Sequence, residues 1–537
     1  MNHPSVVTLT RRSAPRALFA GDRFVEVDLP PGTRVIYPKP PMAGLKDPDA
    51  AIRYALNHPV GADPLHAQLR PGMRVLIAMD DISLPLPQMK RPDVRERVLT
   101  VVLEQLADHG VDDFDIVIAT SVHRKMTAAE VRWIVGDKIF DAYWPKRLYN
   151  HDAEEPDGMR LIGETELGEK VVLSRQAAEA DLIIYVNLNL VPMDGGHKSV
   201  AVGLCGYESL KPHHNPKVMR KCHSYMDPKS SELNTVVERM GRVANKNLKV
   251  FTIETTINNR MFDRPLAFLA RDEDSWSGTE RAAFKAMKYA LDRAPDGARE
   301  GIFKRVPSPF DLTGVNAGET EAVHARTLQR CFEQYVVPVE GQADILVCGI
   351  PYISPYNVNA FLNPLLVTVM AQGYLFNMYR GRPLVKKNGT LIITHPCTDR
   401  FDEAQHAPYV EFVHRLLPET RDAYQLHKRF EAEFAKNPAY LAMYRHGNAY
   451  HPVHAFFMWY WGEAGRQHIG RVIVVGADNQ YIPKLLGYET ARSMHEALEM
   501  AKDTAPPSPD ITCLHLPPIL MTEMAPLREE ASVGGTP

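Results

Sequence analysis

Val75-Leu76-Ile77-Ala78-Met79-Asp80-Asp81-Ile82-Ser83-Leu84-Pro85-Leu86-Pro87 is the stretch on which the fold turns. Five apolar residues in a row, without the alternation of a half-exposed strand, read as a strand covered on both faces, and the two aspartates end it. Downstream, Arg91 to His109 carries apolar residues at Val94, Val98, Val101, Val102, Leu103 and Leu106, a helical spacing that Gly110 stops. Phe114 to Ala119 is a second buried strand. Thr127 and Glu130 have the spacing at which a hydroxyl and a carboxylate cap a helix start reciprocally. The β-α-β-α rhythm predicts an α/β fold with a mainly parallel sheet.

The rhythm continues through strands at Asp181 to Val186 and Lys249 to Ile257, with a helix at Leu233 to Ala244 between them. It resumes in strands at Ala343 to Ile350, Thr390 to His395 and Arg471 to Gly476, with helices near 360–379, 419–436, 453–464 and 490–502. A chain of 537 residues exceeds the size of one core. The expected organisation is two α/β domains with the active site in the cleft between them: 1–272, a connection at 273–320, a second domain at 321–503, and an irregular tail at 504–537.

Lys and Arg number 62 against 65 Asp and Glu, so charge implies neither a nucleic-acid nor a membrane partner. The six cysteines are scattered without a C-x-x-C pair, which argues against a disulfide framework or zinc ribbon and fits a reducing, cytoplasmic location. Arg11-Arg12 followed by Ala17-Leu18-Phe19-Ala20 is too short an apolar run for an export signal and reads as a mature N-terminus. Ala455 to Trp461 falls well short of a membrane span. Glycine-rich dinucleotide and P-loop cradles, the G-x-S-x-G elbow and H-E-x-x-H are all missing. Chemistry must come from histidines, acids and lysines at strand ends.

Three segments follow strands closely: Asp81 to Pro87, Ser121-Val122-His123-Arg124, and Gly195-Gly196-His197-Lys198-Ser199-Val200. Ligand sites of open α/β sheets lie beyond the carboxyl ends of strands, where these would converge. On the local string alone, a tight turn at Gly195-Gly196 and a solvated charge at Lys198 is the commoner reading. His123 could cap a turn or act as a base near neutral pH. His213-His214 could be core residues or, as neutral imidazoles, ligate a divalent metal.

Together the segments resemble the nickel-pincer lactate racemase family. Pro59-Val60-Gly61-x-x-Pro64-Leu65 is similar to its P-[IV]-G-x-x-P-L entry, Asp81-x-Ser83-x-Pro85-x-Pro87 to its D-x-[ST]-R-P-x-P loop, His123-Arg124-x-x-Thr127-x-x-Glu130 to its H-R-x-x-T-x-x-E turn, and His151-Asp152-Ala153 to its H-D-A segment. Most specific is Gly195-Gly196-x-Lys198-Ser199-Val200 with a histidine 16 residues beyond the lysine (214 − 198), which selects His214 over His213.

The resemblance implies a nickel-pincer nucleotide joined covalently to Lys198, with His214 as the nickel ligand and Asp81, Ser83, Gly195, Gly196 and Ser199 around the cofactor. It also implies His123 as the base that takes a hydroxyl proton while the C2 hydrogen leaves as hydride. Cofactor-synthesis enzymes would be partners and a small 2-hydroxy acid the substrate.

The departures lie at the substrate end. Leu84 stands where the family has an arginine, Leu362 and Leu365 where it has Gln and Lys, and the approach Asn187 to Asp194 contains no histidine where it has a second base. Asp194, His197 and His213 are candidate replacements for that base, and Arg124 or Lys211 for a carboxylate clamp. The expected function is therefore a nickel-dependent isomerase, a racemase or epimerase of a 2-hydroxy acid other than lactate. One-base hydride or proton transfer with the same cofactor, or a non-catalytic binding protein on the same fold, are the alternatives. A simple metal hydrolase using His197, His213 and His214 ranks below them, because adjacent histidines rarely point at one metal.

Overall fold

A computed structural model describes residues 3–83, 87–352 and 363–524. Among these residues, one six-stranded sheet runs in the order Leu312–Gly318, Val250–Ile257, Leu182–Asn189, Arg74–Asp80, Asp113–Ala119, Leu148–Asn150. Every pairing is parallel except at the Leu312–Gly318 edge. From Arg74–Asp80 the chain winds outward through Asp113–Ala119 to Leu148–Asn150, then returns to the other side of Arg74–Asp80 as Leu182–Asn189. That reversal makes the carboxyl end of Arg74–Asp80 a topological switch point, where the crossover connections diverge and leave a crevice.

The strands form as the apolar runs predict: Leu76 to Met79 and all of Leu182–Asn189 are buried. Helix Val94–Asp108 starts at Asp93, whose side chain caps the Arg95 amide, and helix Ala128–Tyr143 starts at the Thr127–Glu130 capping box, with both reciprocal bonds present. Helix Glu232–Asn247 buries Leu233, Val236, Val237, Met240 and Ala244, the single stripe that packs it against helix Lys198–Gly203 and the hairpin Met159–Glu164/Lys170–Ser174.

The second, nine-stranded sheet has the central order Val6–Thr8, Arg34–Ile36, Ile511–Leu514, Ala343–Pro351, Val385–Thr394, Arg471–Val475, Glu489–Ala491. Strand pairing runs across the segments named from the sequence in three places. Residues 6–36, expected in the first domain, supply strands of this sheet; Leu312–Gly318, expected in the connection, is the edge of the first sheet; and Ile511–Leu514, expected in the tail, is an inner strand. Hydrogen-bond ladders decide these memberships, and they join segments far apart in sequence that no local pattern can pair. Helix His454–Trp461, apolar on every side, is buried throughout. One contiguous apolar core extends from Ile36 to Met524 and includes residues from both sheets. No helix among the described residues is long and apolar enough to cross a membrane.

A buried polar knot joins the ends of the chain. The Glu273 carboxylate accepts from Ala17 N–H (2.7 Å), Tyr37 O–H (2.6 Å) and the Arg16 guanidinium (3.0 Å), and lies 3.0 Å from His515 Nε2. Burial alone would raise this carboxyl, but His515, Tyr37 and Ala17 together hold it at about 2, below its ordinary 4.5. A carboxyl depressed in the folded state stabilises fully above about pH 4.5, and that contribution is lost as pH falls toward 2. Glu273→Gln leaves Arg16 paired with Asp272 and Asp274 but removes the anion that Ala17, Tyr37 and His515 share, and should cost about 1–3 kcal/mol at neutral pH. Urea midpoints measured between pH 6 and pH 3 should fall less steeply for the variant; parallel profiles would show that Glu273 is not depressed.

Candidate functional site

At the switch point Asp81 acts as a bracket. Its Oδ1 accepts from Ser83 N–H (2.9 Å), its Oδ2 accepts from Ser83 Oγ–H (2.9 Å), and the same Oδ2 lies 2.9 Å from His123 Nδ1. Burial would raise the Asp81 carboxyl, but His123 and Ser83 hold it below the ordinary carboxylate range. A carboxylate only accepts, so Nδ1 carries the proton of the neutral ring and Nε2 is the basic nitrogen. Underneath, Arg95 is buried; it clasps Asp93 through Nε and Nη2 and donates through Nη1 to the carbonyls of Asp81 (2.6 Å) and Asp80 (3.2 Å). The backbone that carries the bracket is thereby fixed.

The double glycine is a turn that needs glycine. Gly195 and Gly196 have φ of +85° and +59°, and a Cβ on Gly195 would lie 2.4 Å from Asn189 Nδ2 and 2.5 Å from Glu254 Oε1. Glu254, fully buried on Val250–Ile257, accepts the Gly196 N–H at 2.6 Å and meets His324 Nδ1 at 3.2 Å. This tie sets where the helix Lys198–Gly203 begins. Lys198 Nζ lies 3.7 Å from Asp194 Oδ1, and the other oxygen of Asp194 accepts from the Val191 and Leu190 amides. Burial raises the Asp194 carboxyl, against the pull of Lys198.

His214 comes from the loop beyond, its Nδ1 2.6 Å from His213 Nδ1. Its ring faces Trp461 at 5.9 Å and 23° and Phe457 at 5.3 Å, so the second half of the chain supplies its wall. Burial, followed by the His213 and Lys198 charges, pushes His214 well below its ordinary pKa and keeps it neutral, the ligating form of imidazole.

A cavity of about 100 Å³ brings these groups together: Asp81, Ser83, His123, Gly195, Lys198, Ser199 and His214 line it, with Tyr374 and Trp461 opposite. Several expected replacements fall elsewhere. His197 turns to Glu321 (2.9 Å), Arg124 is held bidentately by Glu130 (2.9 and 2.7 Å), Lys211 pairs with Glu208, and His213 is buried behind His214. His197 thus cannot join His213 and His214 on one metal. Leu365 is fully buried; Leu84 and the segment Asn357 to Leu362 lie outside the described residues. Sequence reading missed Asp80, Tyr185 and Asn187 as lining residues, although an Asp-Asp doublet at a strand end was a signal for the first.

Residues 20–226 match the family model of the lactate racemase N-terminal domain, the stretch that holds His123, Lys198 and His214. That stretch is similar to the lactate racemase N-terminal domain. The chain is 25% identical over 169 residues to lactate racemase of Lactiplantibacillus plantarum, covering 30% of this chain and 38% of that protein. It is 23% identical over 168 residues to lactate racemase of Thermoanaerobacterium thermosaccharolyticum, covering 30% and 37%. The matches therefore span under two-fifths of the length of these curated relatives. In fold the likeness is wider: the lactate racemase apoprotein structure from T. thermosaccharolyticum superposes with a TM-score of 0.61 at 18% identity, over 95% of this chain and all of that one. The wall at Tyr374 and Trp461 lies outside the stretch that matches the family model.

Gly195→Ala tests the turn that carries Lys198. Gly168 has a similar φ of +79° but nothing within 4 Å of an added Cβ, so Gly168→Ala reports backbone strain alone, about 1–2 kcal/mol. Gly195→Ala should cost a further 1–3 kcal/mol, roughly, from the clash with Asn189 and Glu254, read as the difference between the two variants in urea unfolding. Equal losses would refute the close approach.

Proposed function

We propose that this protein is a racemase or epimerase of a 2-hydroxy acid other than lactate, working with a nickel-pincer nucleotide tethered at Lys198. The observation that carries the reading is the convergence of an amine, a neutral imidazole and a carboxylate-oriented imidazole on one cavity.

The residues fit such a group. The Lys198 side chain is 30% exposed and its nearest anion, Asp194, stands at 3.7 Å, so the amine is accessible for a covalent bond. His214 keeps Nδ1 against His213, which leaves Nε2 as the ligand atom for nickel. Asn187 Oδ1 is buried without a hydrogen-bond partner, and its residue lines the cavity beside Ser199. When bound, the cofactor supplies a centre that accepts the C2 hydrogen as hydride and returns it.

This chain's own residues handle the proton. His123 removes the substrate hydroxyl proton at Nε2, and Asp81 stabilises the imidazolium that results. Ser83 and Arg95 keep Asp81 in place for that task. Trp461 and Tyr374 line the site from the second half of the chain and reduce its contact with solvent. Lactate is disfavoured because Leu84 replaces a carboxylate clamp, and neither Arg124 nor Lys211 is available to substitute for it.

Protein produced alongside the cofactor-synthesis enzymes should show an added nucleotide mass by intact mass spectrometry, absent from Lys198→Ala. Chiral analysis of a panel of 2-hydroxy acids should then find inversion that depends on nickel. An unmodified Lys198 in protein made this way would leave a non-catalytic binding protein on the same fold as the better reading.

A further inference from the structure

The Asp80-Asp81 doublet ends the central strand, and its two carboxylates turn to opposite neighbours. Asp81 reaches His123, which follows the Asp113–Ala119 strand. Asp80 reaches the other flank: Oδ1 accepts from Tyr185 Oη–H at 3.1 Å and Oδ2 from Leu188 N–H at 2.7 Å, both on Leu182–Asn189. Asp80 lines the same cavity as His123 and Lys198, and the reaction assigned above gives it no task.

Stereochemistry supplies one. If both enantiomers of a 2-hydroxy acid present C2–H to the same hydride acceptor with the carboxylate or the side group held in one place, the hydroxyl group changes sides between them. A base on one flank then meets the hydroxyl proton of one enantiomer, and inversion calls for a second on the other flank. We propose that Asp80 is this second acid–base residue, exchanging the substrate's hydroxyl proton on the Leu182–Asn189 side while His123 serves the Asp113–Ala119 side. The assignment rests on the racemase reading above.

The step balances. The substrate O–H bond breaks as a carboxyl O–H forms on Asp80, the freed electron pair closes the C=O bond, and the C2 hydrogen departs with its pair to the hydride acceptor. The reverse restores both bonds.

The surroundings suit the role. The groups facing Asp80 are Tyr185 and Asp194 from the Leu182–Asn189 strand and the loop after it, and Arg95 from helix Val94–Asp108, whose guanidinium bonds the Asp80 backbone carbonyl. Burial raises the carboxyl to about 7, with Asp194 adding to the rise against the Leu188 N–H, Arg95 and Tyr185. A carboxyl near neutrality can both take and give a proton.

The test uses cofactor-loaded protein and each enantiomer of a substrate found by the chiral screen. Asp80→Asn keeps an acceptor oxygen, so folding should be preserved, which thermal unfolding checks. Racemisation should fall by about 10²–10⁴-fold. Single-turnover formation of the 2-keto acid should fall for one enantiomer and persist for the other, with partial recovery in Asp80→Glu. Unchanged single-turnover rates for both enantiomers, or equal losses for both, would overturn the assignment. In cofactor-free protein, a carboxyl infrared band titrating near pH 7 should vanish in Asp80→Asn; no such band in the wild type would also overturn it. A wild-type protein that carries the cofactor yet forms keto acid from no 2-hydroxy acid would instead sink the racemase reading, and the role of Asp80 with it.

Discussion

The buried carboxylate of Glu254 is the contact on which the active arrangement depends. It sits on a strand of the first sheet, takes the amide of Gly196, and occupies the space that a side chain at Gly195 would fill. Strand order therefore sets the turn, and the turn sets the direction of Lys198. A buried anion is costly unless it is fully bonded, and here the bonds come from the lysine-bearing loop and from His324 on the helix Thr320–Tyr335. The loop cannot drift without leaving that charge exposed to a low dielectric.

Much of this was legible from local pattern. Uniformly apolar runs marked the central parallel strands, and the Thr127–Glu130 capping box appeared where its spacing placed it. Strand ends marked the segments of Asp81, His123 and Lys198 as ones that could meet, whereas His214 was singled out by its spacing from Lys198; all four line one cavity. What was not legible is what depends on distant pairing. Arg34–Ile36 and Ile511–Leu514 are adjacent strands 475 or more residues apart in the chain, and neither carries a signal naming the other. Side-chain partners were equally hidden: no local pattern said that Asp81 would meet His123 Nδ1, or that Arg124, a candidate carboxylate clamp, would be held by Glu130.

The site is asymmetric in origin. Its reactive groups lie in the stretch matching the lactate racemase N-terminal domain, and its aromatic cover, Tyr374 and Trp461, comes from beyond it.

The position of Ile511–Leu514 inside the second sheet has a temporal side. Arg34–Ile36 pairs with it on one edge and Ala343–Pro351 on the other, and Val6–Thr8 reaches the sheet only through Arg34–Ile36. During synthesis the first strands of the chain have no complete sheet to join until residue 514 has emerged. The six-stranded sheet needs nothing beyond residue 318 for its ladders, so it can order on the ribosome while the amino-terminal strands wait for nearly all of the remaining chain.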